Sequence, residues 1–229
     1  MHRVSVVIIT KNQKKFLENS LPIIKNQTFR DFELLTVDSG STDGTLELLK
    51  KHAVTTISIS PTNPKKFNFT LALNEGIKQS QGDLIVHLSG DVVPANEKWL
   101  ENLIQNFENP HIAAAYSRYM LSKKASLFEK LQCLLLMGEK RRVSTKGTDV
   151  LGGSWAFRKL LWERFNPPKE LTQCEDAYFM WKAHQNGYLT VYEPTSVVYH
   201  THGKGTLHDI KMWLGQAVIG IKIRVGFYN

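Results

Sequence analysis

The chain has 229 residues, 42% hydrophobic and 22% charged, an ordinary balance for a globular domain long enough to bury a real core. Its 29 Lys and Arg against 21 Asp and Glu leave +8, which favours anionic partners but by itself explains no more than solubility. Two cysteines, Cys133 and Cys174, exclude a disulfide framework and a Cys-x-x-Cys zinc site, and no apolar run approaches the ~18 residues of a spanning helix.

Val4 to Thr10 is a continuous β-branched apolar run, the pattern of a strand buried on both faces. Phe16, Leu17, Leu21 and Ile24 recur at helical spacing, with Pro22 as a blemish. Phe32 to Val37 reads as a second strand ending on Asp38. The turn-rich DSGSTDGT follows, then a helix from Leu46. Val54 to Ile59 reads as a third strand, and Phe69, Leu73 and Ile77 mark a third helix. Leu84 to Leu88 is a buried strand that stops at Ser89-Gly90, with Asp91 next and Pro94 closing the segment. Trp99 to Phe107 is amphipathic, and Ile112 to Tyr119 reads as a strand. Leu127 to Met137 is a helix candidate running into Lys140, Arg141 and Arg142. Trp155 to Phe157 reads as a short strand. Glu175 to Gln185 is a helix stopped by Asn186-Gly187, and two short strands follow, Leu189 to Tyr192 and Val197 to Tyr199. Leu207 to Asn229 is partly helical. This alternation predicts an α/β protein with a mostly parallel central sheet flanked by helices.

Polar residues cluster where strands end. Asp91, released at the carboxyl end of a buried strand, stands where open α/β sheets put their ligand chemistry. A carboxylate there can hold a hard divalent cation, which can clamp a diphosphate. Thr10, Asn12, Asp38 and Ser39 lie just past neighbouring strands and can grip a base and a ribose, although DSGSTDGT also suits a simple turn and helix cap. Asn74 and Lys78 share a helix face, where Lys78 can reach a phosphate or merely be solvated. Thr172 and Glu175 have capping-box spacing, which gives Glu175 a structural reading. Asp176 beside it reads as a general base or as an acid favoured by the helix dipole. His200 and His202 stand two apart on an extended segment, and one can complete a metal shell while the other packs.

Together these segments resemble family 2 glycosyltransferases with the GT-A fold, over nearly the whole chain and in the right order. VSVVIITKN resembles the opening strand, and DSGSTDGT the nucleotide-binding loop in which Asp38 matches the base-binding Asp. LSGDVVP stands at the metal motif. GGSWAFRK and CEDAYFMWKAHQNGY resemble the acceptor-side Gly segment and the Glu-Asp motif, and YHTH the late His motif. Ser89 replaces the first Asp of the usual Asp-x-Asp. That variant, with Phe67-Asn68-Phe69, resembles the branch often described as rhamnosyltransferases; no Gln-x-x-Arg-Trp motif of processive synthases follows.

The resemblance implies one GT-A (Rossmann-like) domain over 1–229, with a nucleotide-sugar half at 1–119 and an acceptor-side C-terminal lobe at 120–229. It implies inverting transfer of a sugar, rhamnose first, from a dTDP- or UDP-sugar to a hydroxyl of a glycan or lipid-linked acceptor. Thr10, Asn12, Asp38, Ser39, Asn74, Lys78, Ser89 and Gly90 would hold the donor. Asp91 and His202 would hold Mg²⁺ or Mn²⁺, Asp176 and Glu175 would be catalytic, and Gly152, Gly153 and Trp181 would face the acceptor. A scaffold of the same fold without activity is the alternative, kept open by Ser89. A nucleotidyltransferase ranks last, because Thr10-Lys11-Asn12-Gln13 offers no glycine, and only net charge supports a nucleic-acid binder. MHRVSVVIIT lacks a signal-peptide pattern, so the expected location is the cytoplasm. The basic cluster at 140–142 and the apolar-basic tail suit peripheral contact with an anionic membrane, or, for the tail, a closing helix docked on the core.

Overall fold

Every residue of β1 (Val4–Thr10) is buried, because β1 lies inside the sheet with helices on its faces. The computed structural model describes residues 3–60, 67–121, 125–146, 152–200 and 205–228. After β1 come α1 (Lys14–Lys25), β2 (Phe32–Asp38), α2 (Thr45–Lys51), β3 (Thr55–Ser58), α3 (Phe69–Gln79) and β4 (Leu84–Ser89). Then follow β5 (Val93–Pro94), α4 (Trp99–Ile104), β6 (Ile112–Met120), α5 (Leu127–Leu136), β7 (Arg142–Ser144) and β8 (Ser154–Arg158). The chain continues through α6 (Lys159–Arg164), α7 (Glu175–Gln185), β9 (Leu189–Tyr199) and α8 (Thr206–Arg224).

The sheet order is β3-β2-β1-β4-β8-β6-β9-β5, with β7 also on β9. β3, β2, β1 and β4 are mutually parallel, as the alternating pattern predicts. Beyond β4 the sheet is mixed: β8 runs antiparallel to both β4 and β6, while β6 and β9 are parallel. β8 therefore starts at the edge where β4 ends, and this brings Gly152-Gly153 to Ser89.

Five elements differ from the sequence reading. The helix from Trp99 tightens into a 3₁₀ turn at Gln105–Glu108. The two expected strands after Leu189 are one strand, β9, because a register shift between Ser117 and Arg118 accommodates 194–196, where Pro194 has no N–H to pair. β5, β7 and α6 are additions too short to show a period.

Two buried features hold this part of the sheet. Trp99 Nε1 donates to Ser117 Oγ (3.2 Å) and Ser154 Oγ (3.1 Å), and Ser196 Oγ donates to the Trp99 carbonyl (3.0 Å), tying β6, β8 and β9 to α4. On the other side Trp155 and Phe157 of β8 pack with Trp162 of α6 and with Phe179 of α7. That aromatic stack seats the middle of α7 against β8 and α6.

Candidate active site

The first four strands end in line. Thr10 pairs with Asp38, Asp38 with Ser58, and Ile9 with Ser89, so their carboxyl ends form one edge. Asp38 is buried and organises the loop after β2. Its Oδ1 accepts from the amides of Gly40 (3.0 Å) and Ser41 (2.9 Å), and Oδ2 accepts from the Ser41 hydroxyl. Asn12 has a positive φ of 56°, which Asn tolerates, and its Oδ1 accepts from Thr42 N at 2.8 Å. Ser39 N donates to the Thr10 carbonyl (3.1 Å), joining the two loops. Thr10 Oγ1 is buried without a hydrogen-bond partner and lies against the bare Cα of Gly90.

Gly90 N donates to Ile9 O (2.8 Å) and Ser89 N to Gly153 O (2.8 Å), so the turn carrying Asp91 is held from both sides. Asp91 Oδ2 stands 3.5 Å from His200 Nε2. The His200 ring meets Tyr119 edge-on, with centroids 5.2 Å apart, and the Tyr119 hydroxyl accepts from Gly153 N. Burial pushes the Tyr119 phenol far up, so it stays neutral. A side chain at Gly153 would meet that hydroxyl at 2.6 Å, which explains glycine there. Among the described residues no three His, Cys, Asp or Glu converge. Asp91 and His200 are a two-donor set, which fits the protein's share of a hard cation that keeps waters and takes phosphate oxygens.

Asp176 closes the other side. The residue before α7 is Cys174, in a left-handed conformation (φ 63°) with no side-chain cap, so Glu175 and Asp176 open the helix. The capping box expected from Thr172 to Glu175 does not form, because the helix begins too late for Thr172 to cap it. Both acids are buried. Burial pushes the Asp176 carboxyl up to about 6, and Glu175, which also feels the Asp176 charge, up to about 8. Asp176 Oδ1 accepts from Ala177 N at 2.7 Å, and its Oδ2 lies where a Gly152 side chain would be. Asp91, His200, Tyr119, Gly152, Gly153 and Asp176 thus form one continuous wall.

Three expected residues lie elsewhere. Lys78 is in the last turn of α3, which runs back to the amino end of β4, and it pairs with Glu75 at 2.6 Å on a solvated face. Asn74 Oδ1 accepts from Trp162 Nε1 at 2.8 Å and so anchors the aromatic stack. Trp181 packs between α7 and α8 beside Tyr178 and Ile223. His202 lies outside the described residues. The sequence reading gave Tyr119 no role; its only signal was a hydroxyl-bearing side chain at the end of an apolar strand. A cleft of about 570 Å³ beside the β9 bulge, walled by Asn106, Arg141 and Glu193, holds none of the expected residues.

Solved structures that share this fold include glycosyltransferases. The mannosyltransferase PcManGT from Pyrobaculum calidifontis, in complex with GDP-Man and Mn²⁺, matches 87% of this chain and 57% of its own, with a TM-score of 0.68 at 22% identity. S. aureus TarS 1-349 in complex with UDP matches 87% and 60%, with a TM-score of 0.70 at 20% identity. The architecture is therefore GT-A. The family model for glycosyl transferase family 2 matches residues 5–165, and the chain belongs to that family and is a glycosyltransferase. The O-antigen chain rhamnosyltransferase RfbN of Salmonella typhimurium is 28% identical over 211 residues, 87% of this chain and 67% of its own length. Poly-beta-1,6-N-acetyl-D-glucosamine synthase of Staphylococcus aureus is 24% identical over 201 residues, 85% and 48% respectively. The chain thus spans between about half and two thirds of these four proteins, and its curated relatives include polysaccharide-synthesis enzymes.

Proposed function

We propose that this chain is an inverting glycosyltransferase that moves a sugar from a nucleotide-diphosphate donor to a hydroxyl of a glycan or lipid-linked acceptor in cell-surface polysaccharide synthesis. The observation that carries this reading is Asp176: a buried carboxylate, raised to about 6, facing the same wall as Asp91. A general base needs a pKa near working pH and reach to the acceptor proton. Asp176 takes the proton of the acceptor hydroxyl as that oxygen attacks the anomeric carbon from the face opposite the diphosphate. One displacement inverts the anomeric centre. Glu175, neutral beside it, keeps a second negative charge from the wall. We further propose one catalytic domain, with the donor on 1–119 and the acceptor on 120–229.

Asp91 and His200 would hold the divalent cation, which when bound neutralises charge on the departing diphosphate. His202 follows two residues on as a further candidate ligand. Imidazole in the set favours Mn²⁺, since Mg²⁺ prefers oxygen ligands. Thr10, Asn12, Asp38 and Ser39 form the base and ribose end; Asp38 Oδ2, with one described partner, keeps acceptor capacity for a base N–H or ribose hydroxyl. Rhamnose from a dTDP-sugar is the first reading of the donor, supported by LSGDVVP and by the relative RfbN; a UDP-sugar is the second. Free Cys133 and Cys174 suit the reducing cytoplasm, where we place the enzyme.

Calorimetric titration with dTDP, UDP and GDP, each with and without Mn²⁺, tests the reading. Metal-dependent binding of one diphosphate, lost in Asp91→Ala, is expected. Folded protein that binds none of them would overturn it in favour of an inactive scaffold, the reading that Ser89 keeps open.

A further inference from the structure

α5 and α8 carry apolar residues on their outer as well as their inner faces. α5 starts with a complete capping box, Ser126 to Glu129, so it is a well-formed helix. Yet it buries Glu129 and turns a stripe of Leu127, Leu131, Leu134 and Leu135 to solvent, Leu134 being 80% exposed. α8 repeats the pattern. It buries Asp209 and Ile223 and exposes Leu207, Leu214, Val218, Ile221 and Val225 along one helical stripe. The two helices pack together, with Phe128 of α5 against Trp213 of α8 at 6.0 Å, so the stripes belong to one region of surface. An exposed apolar region of this extent marks an interaction site.

Its charge selects the occupant. Lys130, Lys140, Arg142, Lys211, Lys222 and Arg224 are all exposed on these helices and the segment after α5. The acids there are Glu129 and Asp209, both buried, and Glu139, which faces Arg118 at 3.7 Å. A second copy presenting the same face would meet like charge. An anionic bilayer surface complements both features, since leucines can enter the acyl boundary while Lys and Arg meet phosphate headgroups.

We propose that the α5–α8 face docks the protein on an anionic membrane surface. Among the described residues no helix is long and apolar enough to cross a membrane, so this contact is interfacial. α5 follows the strand that carries Tyr119, α8 follows His200, and α8 packs on α7 through Tyr178 and Ile223. The face therefore adjoins the wall of Asp91 and Asp176, which points to an acceptor hydroxyl carried on a membrane-embedded lipid. That last consequence rests on the glycosyl-transfer reading; the docking does not.

The test is co-sedimentation of the full chain with phosphatidylcholine vesicles, with and without a third of phosphatidylglycerol, at low and high salt. Pelleting only with the anionic vesicles, lost at high salt, is expected. Lys222→Gln should weaken partition about fivefold. Leu134→Glu with Leu214→Glu should abolish it while diphosphate binding stays unchanged, which also shows that the variant is folded. No pelleting, equal pelleting on neutral vesicles, or pelleting indifferent to the double variant would overturn the proposal. So would a dimer that Leu134→Glu splits in a chain that ignores vesicles, since the occupant is then a second copy. Pelleting in a chain that binds no diphosphate would leave docking standing and remove the transfer reading.

Discussion

Asp176 and Glu175 are held where a charged carboxylate is unfavourable, and that sets two measurable properties of the enzyme. Their folded pKa values lie above the ordinary 3.8 and 4.5, so the folded state binds more protons than the unfolded one between about pH 4 and pH 8. Stability is then greatest below that window and falls as pH rises through it. Asp176→Asn should raise stability near pH 7 by on the order of 2 kcal/mol, read by urea unfolding, and abolish transfer while diphosphate binding persists. A variant that loses donor binding would remove the assignment of Asp176 as base. In the wild type, transfer should fall as pH drops below about 6, as the base is protonated. His87, buried in mid-β4, acts in the opposite direction. Burial pushes it down to about 4, so stability from keeping it neutral is present above about 6.5 and lost as pH falls to 4. Gly152→Ala puts a methyl on Asp176 Oδ2, and transfer should fall at least tenfold with diphosphate affinity unchanged.

At the scale of elements, the aromatic stack does for α7 what a cap would otherwise do. Phe179 touches Trp155, Trp162 and Phe165, so its removal leaves a cavity under α7. Phe179→Ala should cost about 3–5 kcal/mol and lower transfer beyond the loss of folded protein, measured by comparing specific activity at full folding. β1, β2, β4 and α3 were legible in the sequence, because each carries an apolar run or a helical period. β5 and β7, two and three residues long, carry neither, and both exist only because β9 offers a partner. The position of the candidate site was legible where a polar residue sits at a strand end, as with Asp91 and Asp38. Tyr119 was not, because its role depends on β8 being antiparallel to β6, a tertiary fact without local pattern. Lys78 misled because face-sharing with Asn74 says nothing about which end of the sheet that face reaches.

At the scale of the molecule, the segments 1–119 and 120–229, to which we assign donor and acceptor, share one sheet. β8 is hydrogen-bonded to β4 on one side and β6 on the other, and β5 reaches the far edge to pair with β9. A fragment ending at residue 119 should therefore lack cooperative unfolding, checked by circular dichroism against urea; a sharp transition would show that the first half folds alone. The same interleaving bears on synthesis. β4 and β6 are made well before the strand that separates them. A chain growing at ~5–20 residues per second spends roughly two to eight seconds between Met120 and Arg158. Throughout that interval two apolar strands stand with an edge open to any neighbouring nascent chain. Slow translation of 121–158 should therefore favour misassociation at these edges, for reasons written into the sheet.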